Sequence, residues 1–302
     1  MKPTSAAQAG GPGNRPIGFL EPTNERANLA LKAIRERRLG DAAKHVAGLA
    51  ATNDLEHAWR CYLRGLLAVE RADLPVAMGH FGEALEHLAD EDGSYICPRL
   101  AAATLEQTGR IHRRQEHAEI ALAVHTKAYV LRQSHGSSED LWETALALGH
   151  AAQLSHAHAQ AQKWFNTAVR HASAAGEHPD RLLGIAYAAL AAVLTDGRDH
   201  QEAVAAARRA LHHWSRHDPG SPQTARARLA LGRALLHAGE RLLHNEDEHA
   251  ARPVLAEALG VLTTACEELE PFGSGCAPDL ATGLELMDFA QRLATHPARS
   301  AE

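Results

Sequence analysis

The sequence predicts an all-α protein, and three observations carry that prediction. Apolar residues make up 45% of the 302 positions while aromatics make up only 4%, and Ala dominates the apolar set. Ala keeps a helix intact and lets neighbouring axes approach, so such an interior suits closely packed helices. Continuous β-branched runs of the kind that feed a parallel sheet are missing. Amphipathic stretches of helical period recur in pairs, joined by breaks too short to be anything but hairpin turns.

Taken in order, residues 1–22 carry Gly10-Gly11-Pro12-Gly13 and Pro16 among small polar residues and read as a flexible tail. No strand precedes these glycines and no Gly-Lys-Ser/Thr follows, which favours a linker over a phosphate loop. Residues 23–296 read as paired helices. The first hairpin places Leu29, Ala33 and Ile34 on one helix and Ala42, Val46 and Leu49 on the next, with the break at Gly40-Asp41. The second carries Gly65 and Ala68, then Ala77, Phe81 and Ala84, with Pro75 in the first turn of its second helix.

The third hairpin starts at Cys97-Pro98 and carries Gly109 and His112, then Ala121, His125 and Ala128. The fourth, from Ser138 to Gly176, is the most regular, with Leu148, Gly149 and Ala152 followed by Ala161, Phe165 and Ala168; Ser137 and Asp140 form its N-cap box. The fifth carries Ala191, then Ala203, Ala207 and Ala210. The sixth carries Leu231 and Gly232, then Ala251, Leu255 and Ala258. Its small residue stands 19 positions before Ala251, against 12 in hairpins two to five, and the extra residues are assigned to an exposed acidic loop around Leu243 to Glu248. A helix over about 278–294 covers the last apolar face, and 297–302 read as a frayed end.

Aligning Gly65, Gly109, Gly149, Ala191 and Gly232 gives steps of 44, 40, 42 and 41 residues. A small residue on a first helix facing an Ala-x3-aromatic step on the second resembles the tetratricopeptide (TPR) repeat, with Ala145 standing at the family's Trp position. The long steps are similar to the long-helix variant of kinesin light chains and bacterial scaffold and peptide-sensing proteins. The resemblance covers about residues 23–269. It implies a right-handed α-solenoid of about six hairpins plus a C-terminal capping helix, with Gly65, Ala77, Phe81, Ala84, Gly109, Ala121, Gly149, Ala161, Phe165, Ala168 and Gly232 as the repeat core.

The resemblance also implies a concave face lined by the first helices, at one, four and five places after the small residue. Those offsets give Arg110, Arg113 and Arg114 in the third hairpin, and His150, Gln153 and Leu154 in the fourth. In the sixth they give Arg233, Leu236 and His237. Glu106 and Glu116 lie at i+4 and i+3 spacing from Arg110 and Arg113, and exposed pairs of this kind contribute only about 0.3–0.5 kcal/mol each. The three arginines are therefore expected to stay free for a carboxylate, and their joint reversal to Glu to leave folding intact. The Lys and Asn pattern of a chaperone-tail clamp is not reproduced.

A formal charge of −6 and a pI near 6.4 disfavour general nucleic-acid binding. Four cysteines without a CxxC pair disfavour a zinc ribbon or redox motif. Neither a signal-peptide core nor a membrane-length apolar run occurs, so a cytoplasmic location is the default expectation. No HExxH, GxSxG, Walker loop or strand-linked GxGxxG is present. The 21 histidines include the i,i+4 pair His213 and His217, but no third and fourth ligand accompanies them, so neither metal nor cofactor is expected. The reading is a non-catalytic scaffold that takes a peptide or partner segment in its concave groove, with acidic segments among the expected partners. A peptide-responsive regulator lacking its own DNA-binding domain and a helical enzyme or metal protein are the alternatives, and self-association through an end or a convex patch is compatible with this reading.

Overall fold

The computed structural model of the chain describes residues 24–176 and 178–295; the expected tail 1–22 and frayed end 297–302 lie outside them. Thirteen α-helices are found among the described residues. They pair as α1 (Glu25–Arg35) with α2 (Leu39–Ala47), α3 (Asp54–Glu70) with α4 (Leu74–Leu88), α5 (Pro98–Arg114) with α6 (Ala118–His135), and α7 (Ser138–Leu154) with α8 (His158–Ser173). The series continues with α9 (Pro179–Asp196) and α10 (His200–His217), then α11 (Pro222–His244) and α12 (Glu248–Leu269). After a 3-10 segment, Glu270–Cys276, helix α13 (Ala277–Thr295) packs on α11 and α12 as the expected capping helix. This is the TPR-type α-solenoid.

The turn inside each hairpin is the same, and no sequence motif announces it. Arg37, Ala72, Glu116, His156, Arg198 and Glu246 all take left-handed backbone (φ 50–62° across the non-Gly residues of this kind). The next amide then bonds back to a carbonyl five residues earlier: Arg38 N–H to Ala33, Asp73 to Ala68, His117 to His112, Ala157 to Ala152, Asp199 to Leu194 and Asp247 to Leu242, each at 2.8–3.0 Å. That 6→1 bond is the Schellman arrangement, which closes a helix on its last carbonyls. Glycine usually supplies the left-handed residue. Here it does not, so the first break lies at Glu36–Arg38, and Gly40 and Asp41 fall inside α2.

Counting back seven residues from each left-handed position gives Ala30, Gly65, Gly109, Gly149, Ala191 and Gly239. The residue sixteen further on is Val46, Phe81, His125, Phe165, Ala207 and Leu255. The four pairs that contain a glycine meet face to face. A Cβ at Gly109 would come within 2.6 Å of the His125 ring, one at Gly239 within 2.6 Å of Leu255 Cδ2, and Gly65 and Gly149 abut Phe81 and Phe165 in the same way. Phe81, His125 and Phe165 are fully buried, as are Ala77, Ala84, Ala121, Ala161 and Ala168.

The sixth hairpin corrects the expected register. Gly232 is a site of close approach, but to Leu262, thirty residues on; Gly184 meets Trp214 at the same separation. Gly232 is therefore the counterpart of Gly184, and Gly239 takes the repeat's small position. Ala251 then follows at the usual 12, and no acidic loop is inserted: Asn245–Asp247 is the common turn. The extra residues lengthen α11 and α12 to 23 and 22 residues, against 17 and 16 in α7 and α8. Helical side chains only report a face modulo the turn, so a shift of seven residues keeps Gly232 on the same stripe.

First helices touch the next first helices (α1 on α3, α5 on α7, α7 on α9, α9 on α11). Among pairs in substantial contact, no second helix touches the next second helix. The first helices thus form the inner, tighter layer and line the concave side. Ser137 and Asp140 make the expected reciprocal capping box, whereas Asp199 makes no side-chain cap.

Candidate functional groove

Arg113 and Arg114 on the last turn of α5 and His150, Gln153 and Leu154 at the end of α7 line one open groove of about 430 Å3. The two helices bring these residues together because both end in the same turn, so equal offsets from Gly109 and Gly149 fall side by side. A larger hollow of about 530 Å3 lies against residues 159–170, but one helix lines all of it. Among the described residues, neither Arg113 nor Arg114 has a carboxylate within ion-pair distance; the expected partner Glu116 is the left-handed residue of the turn and makes no ion pair. Arg113 is partly buried; that desolvation, with Arg110 next to it, lowers its proton affinity.

His150 stands edge-on to Phe165, ring centroids 5.1 Å apart. Burial pushes its pKa down to about 4, with Arg113 adding to the effect, so at neutral pH it offers an uncharged ring. Gln153 donates from Nε2 to Asp196 Oδ2 on α9 at 3.1 Å, and Leu154 is 41% exposed. The groove thus presents two unpaired guanidinium groups beside a neutral imidazole and an exposed aliphatic surface. It suits an anionic group carried next to an apolar one.

Arg110 departs from expectation. Its guanidinium donates to Glu143 on α7 and lies 3.6 Å from Glu106, so it is committed inside the protein. Glu106 is no exposed helical partner: it is 1% exposed, with His125 Nδ1 at 3.5 Å and Arg132 at 3.6 Å. Burial alone would raise its pKa, but His125 and Arg132 beside it hold the carboxyl well below the usual range. Glu143 is pushed upward, by burial foremost and by Glu106. Reversal of all three arginines therefore cannot leave folding intact, because Arg110→Glu would set three carboxylates together.

Arg233 and His237 are displaced from the groove offsets by the corrected register. From Gly239 those offsets give Glu240, Leu243 and His244. Arg233 sits instead at the level of Glu143, six places before the small residue, while His237 stacks on His200 and pairs with Glu240 at 3.2 Å. Leu236 is fully buried. Glu143 and Arg132 were not singled out by spacing. Their signal was a charged residue at a core position: Arg132 and His125 stand where hairpin two has Leu88 and Phe81.

No protein-family model and no curated protein sequence matches the chain. Solved structures match its fold. The apo form of the quorum sensor NprR from B. thuringiensis superposes with a TM-score of 0.61 at 11% identity, over 86% of this chain and 68% of that one. NprR in complex with its cognate peptide NprX gives 0.51 at 12% identity, over 91% and 78%. The C-terminal part of a TPR repeat-containing protein from Cytophaga hutchinsonii gives 0.54 at 11%, over 91% and 96%. The chain has the TPR-like all-α solenoid fold that the repeat predicts. Among the described residues, no helix is long and apolar enough to cross a membrane, and no group of three or more His, Cys, Asp or Glu side chains could hold a metal ion.

Proposed function

We propose that the protein is a non-catalytic adaptor that holds a peptide or an extended partner segment in its concave face, with an anionic group of that segment against Arg113 and Arg114. The observation that carries this reading is the pair of unpaired guanidinium groups facing His150, Gln153 and Leu154 across one groove. Like charges held together on a rigid helix repel one another, and a bound carboxylate offsets that repulsion. The fold likeness to a quorum sensor solved with its cognate peptide supports a peptide as occupant, and it favours a peptide-responsive regulator as the second reading.

The test is fluorescence polarisation with a labelled Gly-Glu-Glu-Leu-Gly peptide and its Gly-Lys-Lys-Leu-Gly counterpart. The acidic peptide is expected to bind wild type in a salt-sensitive manner, and Arg113→Glu with Arg114→Glu to abolish it while the thermal midpoint stays within a degree or two. Equal binding of both peptides, or undiminished binding by the double variant, refutes the assignment.

A further inference from the structure

The third hairpin is built unlike its neighbours. At the places where hairpin two packs Tyr62, Phe81 and Leu88, and hairpin four packs Leu146, Phe165 and Ala172, it has Glu106, His125 and Arg132. All three are at least 96% buried. With Arg110 and Glu143, Glu106 and Arg132 complete a ring of alternating charge, and His125 stands beside Glu106. Glu106 meets Arg110 at 3.6 Å, Arg110 meets Glu143, Glu143 meets Arg132 at 3.9 Å, and Arg132 returns to Glu106 at 3.6 Å. Arg132 also donates to the Asp140 carbonyl at 2.8 Å and to Thr144 Oγ1, which ties α6 to the start of α7.

The apolar core breaks at this ring. One buried cluster runs from Ala27 to Ile111, and the next two along the chain begin at Trp142 and Ala152. Across the break, Ala121, Ala128 and Leu148 are buried outside those clusters, and the ring adds charge pairs that link α5 to α7 directly. Apolar packing resists displacement steeply because contacts are lost within a fraction of an ångström. Charge pairs at 3.6–3.9 Å are graded in distance and act on every member of the ring. Both carboxylate oxygens of Glu106, both ring nitrogens of His125 and the hydroxyl of Tyr62 are buried without a hydrogen-bond partner. Attraction to Arg132 and Arg110, with His125 Nδ1 at 3.5 Å, holds Glu106 in place.

The ring joins α5, α6 and α7; α5 and α7 are also the two walls of the groove, and Arg110 precedes Arg113 by about one helical turn. We propose that the ring Glu106–Arg110–Glu143–Arg132 sets the separation of α5 and α7, so that Arg110 is a positioning residue that fixes Arg113 and Arg114 relative to His150 and Gln153. The importance of that separation for binding rests on the groove reading above. The ring itself is a property of the helices. Its members lie 1–34% exposed, so dissolved salt screens them far less than it screens Arg114.

The experiment reads the spacing directly. Nitroxide-bearing unnatural amino acids at Gln115 and Ser155, the equivalent C-caps of α5 and α7, report the distance by double electron–electron resonance without using the native cysteines. Glu143→Gln keeps the side chain's shape and removes its charge, and Arg110→Lys keeps charge but loses the planar fork that reaches two carboxylates. Leu88→Ala, in the apolar core of hairpin two, serves as a destabilised control outside the ring. Both ring variants are expected to shift or broaden the distance distribution and to weaken Gly-Glu-Glu-Leu-Gly binding roughly 10-fold, the scale on which a site suffers when the groups orienting its contacts are lost. Leu88→Ala is expected to lower the melting temperature and change neither. Ring variants with a wild-type distance distribution overturn the proposal, as does an equal change in Leu88→Ala. A changed distance in the ring variants, together with no acidic-peptide binding by wild type, supports the ring's role and refutes the groove reading instead.

Discussion

Replacing Arg110 by Met tests the most consequential departure from the sequence reading. Met keeps an aliphatic side chain of similar reach and removes the charged fork. Glu106 and Glu143 are then left with Arg132 as their shared cation and His125 as a second neighbour of Glu106. Removing one partner of a buried ion pair costs about 3–5 kcal/mol, mostly because the remaining charge stays desolvated. Arg110 is 34% exposed, and Glu143 is exposed enough (14%) to gain some water, so a loss of about 2–3 kcal/mol is expected. Arg113→Met and Arg114→Met are each expected to stay within about 0.5 kcal/mol, since neither guanidinium has an acidic partner. Urea unfolding followed by far-UV circular dichroism measures all three. A loss below 1 kcal/mol for Arg110→Met, or equal losses for the three variants, would show that Arg110 is as free as the other two and that the ring contributes little.

Three further outcomes follow from the packing. Phe81→Ala and Phe165→Ala, each emptying a fully buried site against a glycine, should each cost about 3–5 kcal/mol in urea unfolding. A loss below 1 kcal/mol would contradict their place between the helices. Gly239→Leu and Gly149→Leu should lower the melting temperature by overpacking Leu255 and Phe165, while Gly260→Ala, in open space on α12, should raise stability by about 0.5–1 kcal/mol. Tolerance at Gly239 would return the repeat position to Gly232. For His150, the folded pKa of about 4 lies below the ordinary 6.5, so its contribution is complete above pH 6.5 and is lost as pH falls toward 4. The ring is half-buried, so the loss is roughly 2 kcal/mol; His150→Gln should flatten that part of the stability profile, and an unchanged profile counts against burial of the neutral ring.

Much of the architecture was legible in the residues. Ala at three- and four-residue spacing with few aromatics defines helices that approach closely. The recurrence of Ala77-x3-Phe81 and Ala161-x3-Phe165 defines which face of each second helix is packed. The groove pairing was legible too, because a repeat carries one geometry from Gly109 to Gly149, and equal offsets then place Arg113 and Arg114 beside Gln153 and Leu154. Three things were decided only by tertiary structure. The turns rest on left-handed Arg37, Ala72, Glu116, His156, Arg198 and Glu246, whose side chains carry no turn signal; the strain is borne by the hydrogen bonds of the closed helix end. The choice between Gly232 and Gly239 depends on which residue of α12 each one meets, since seven residues return a helix to nearly the same face. The fate of Arg110 depends on Glu143, 33 positions away, and on the burial of Glu106, 4 positions away. Local spacing reports that a carboxylate is within reach of an arginine along one helix. Whether the pair is in water or sealed under a neighbouring helix is set by the packing of the solenoid, and that difference separates Arg110 from Arg113 and Arg114.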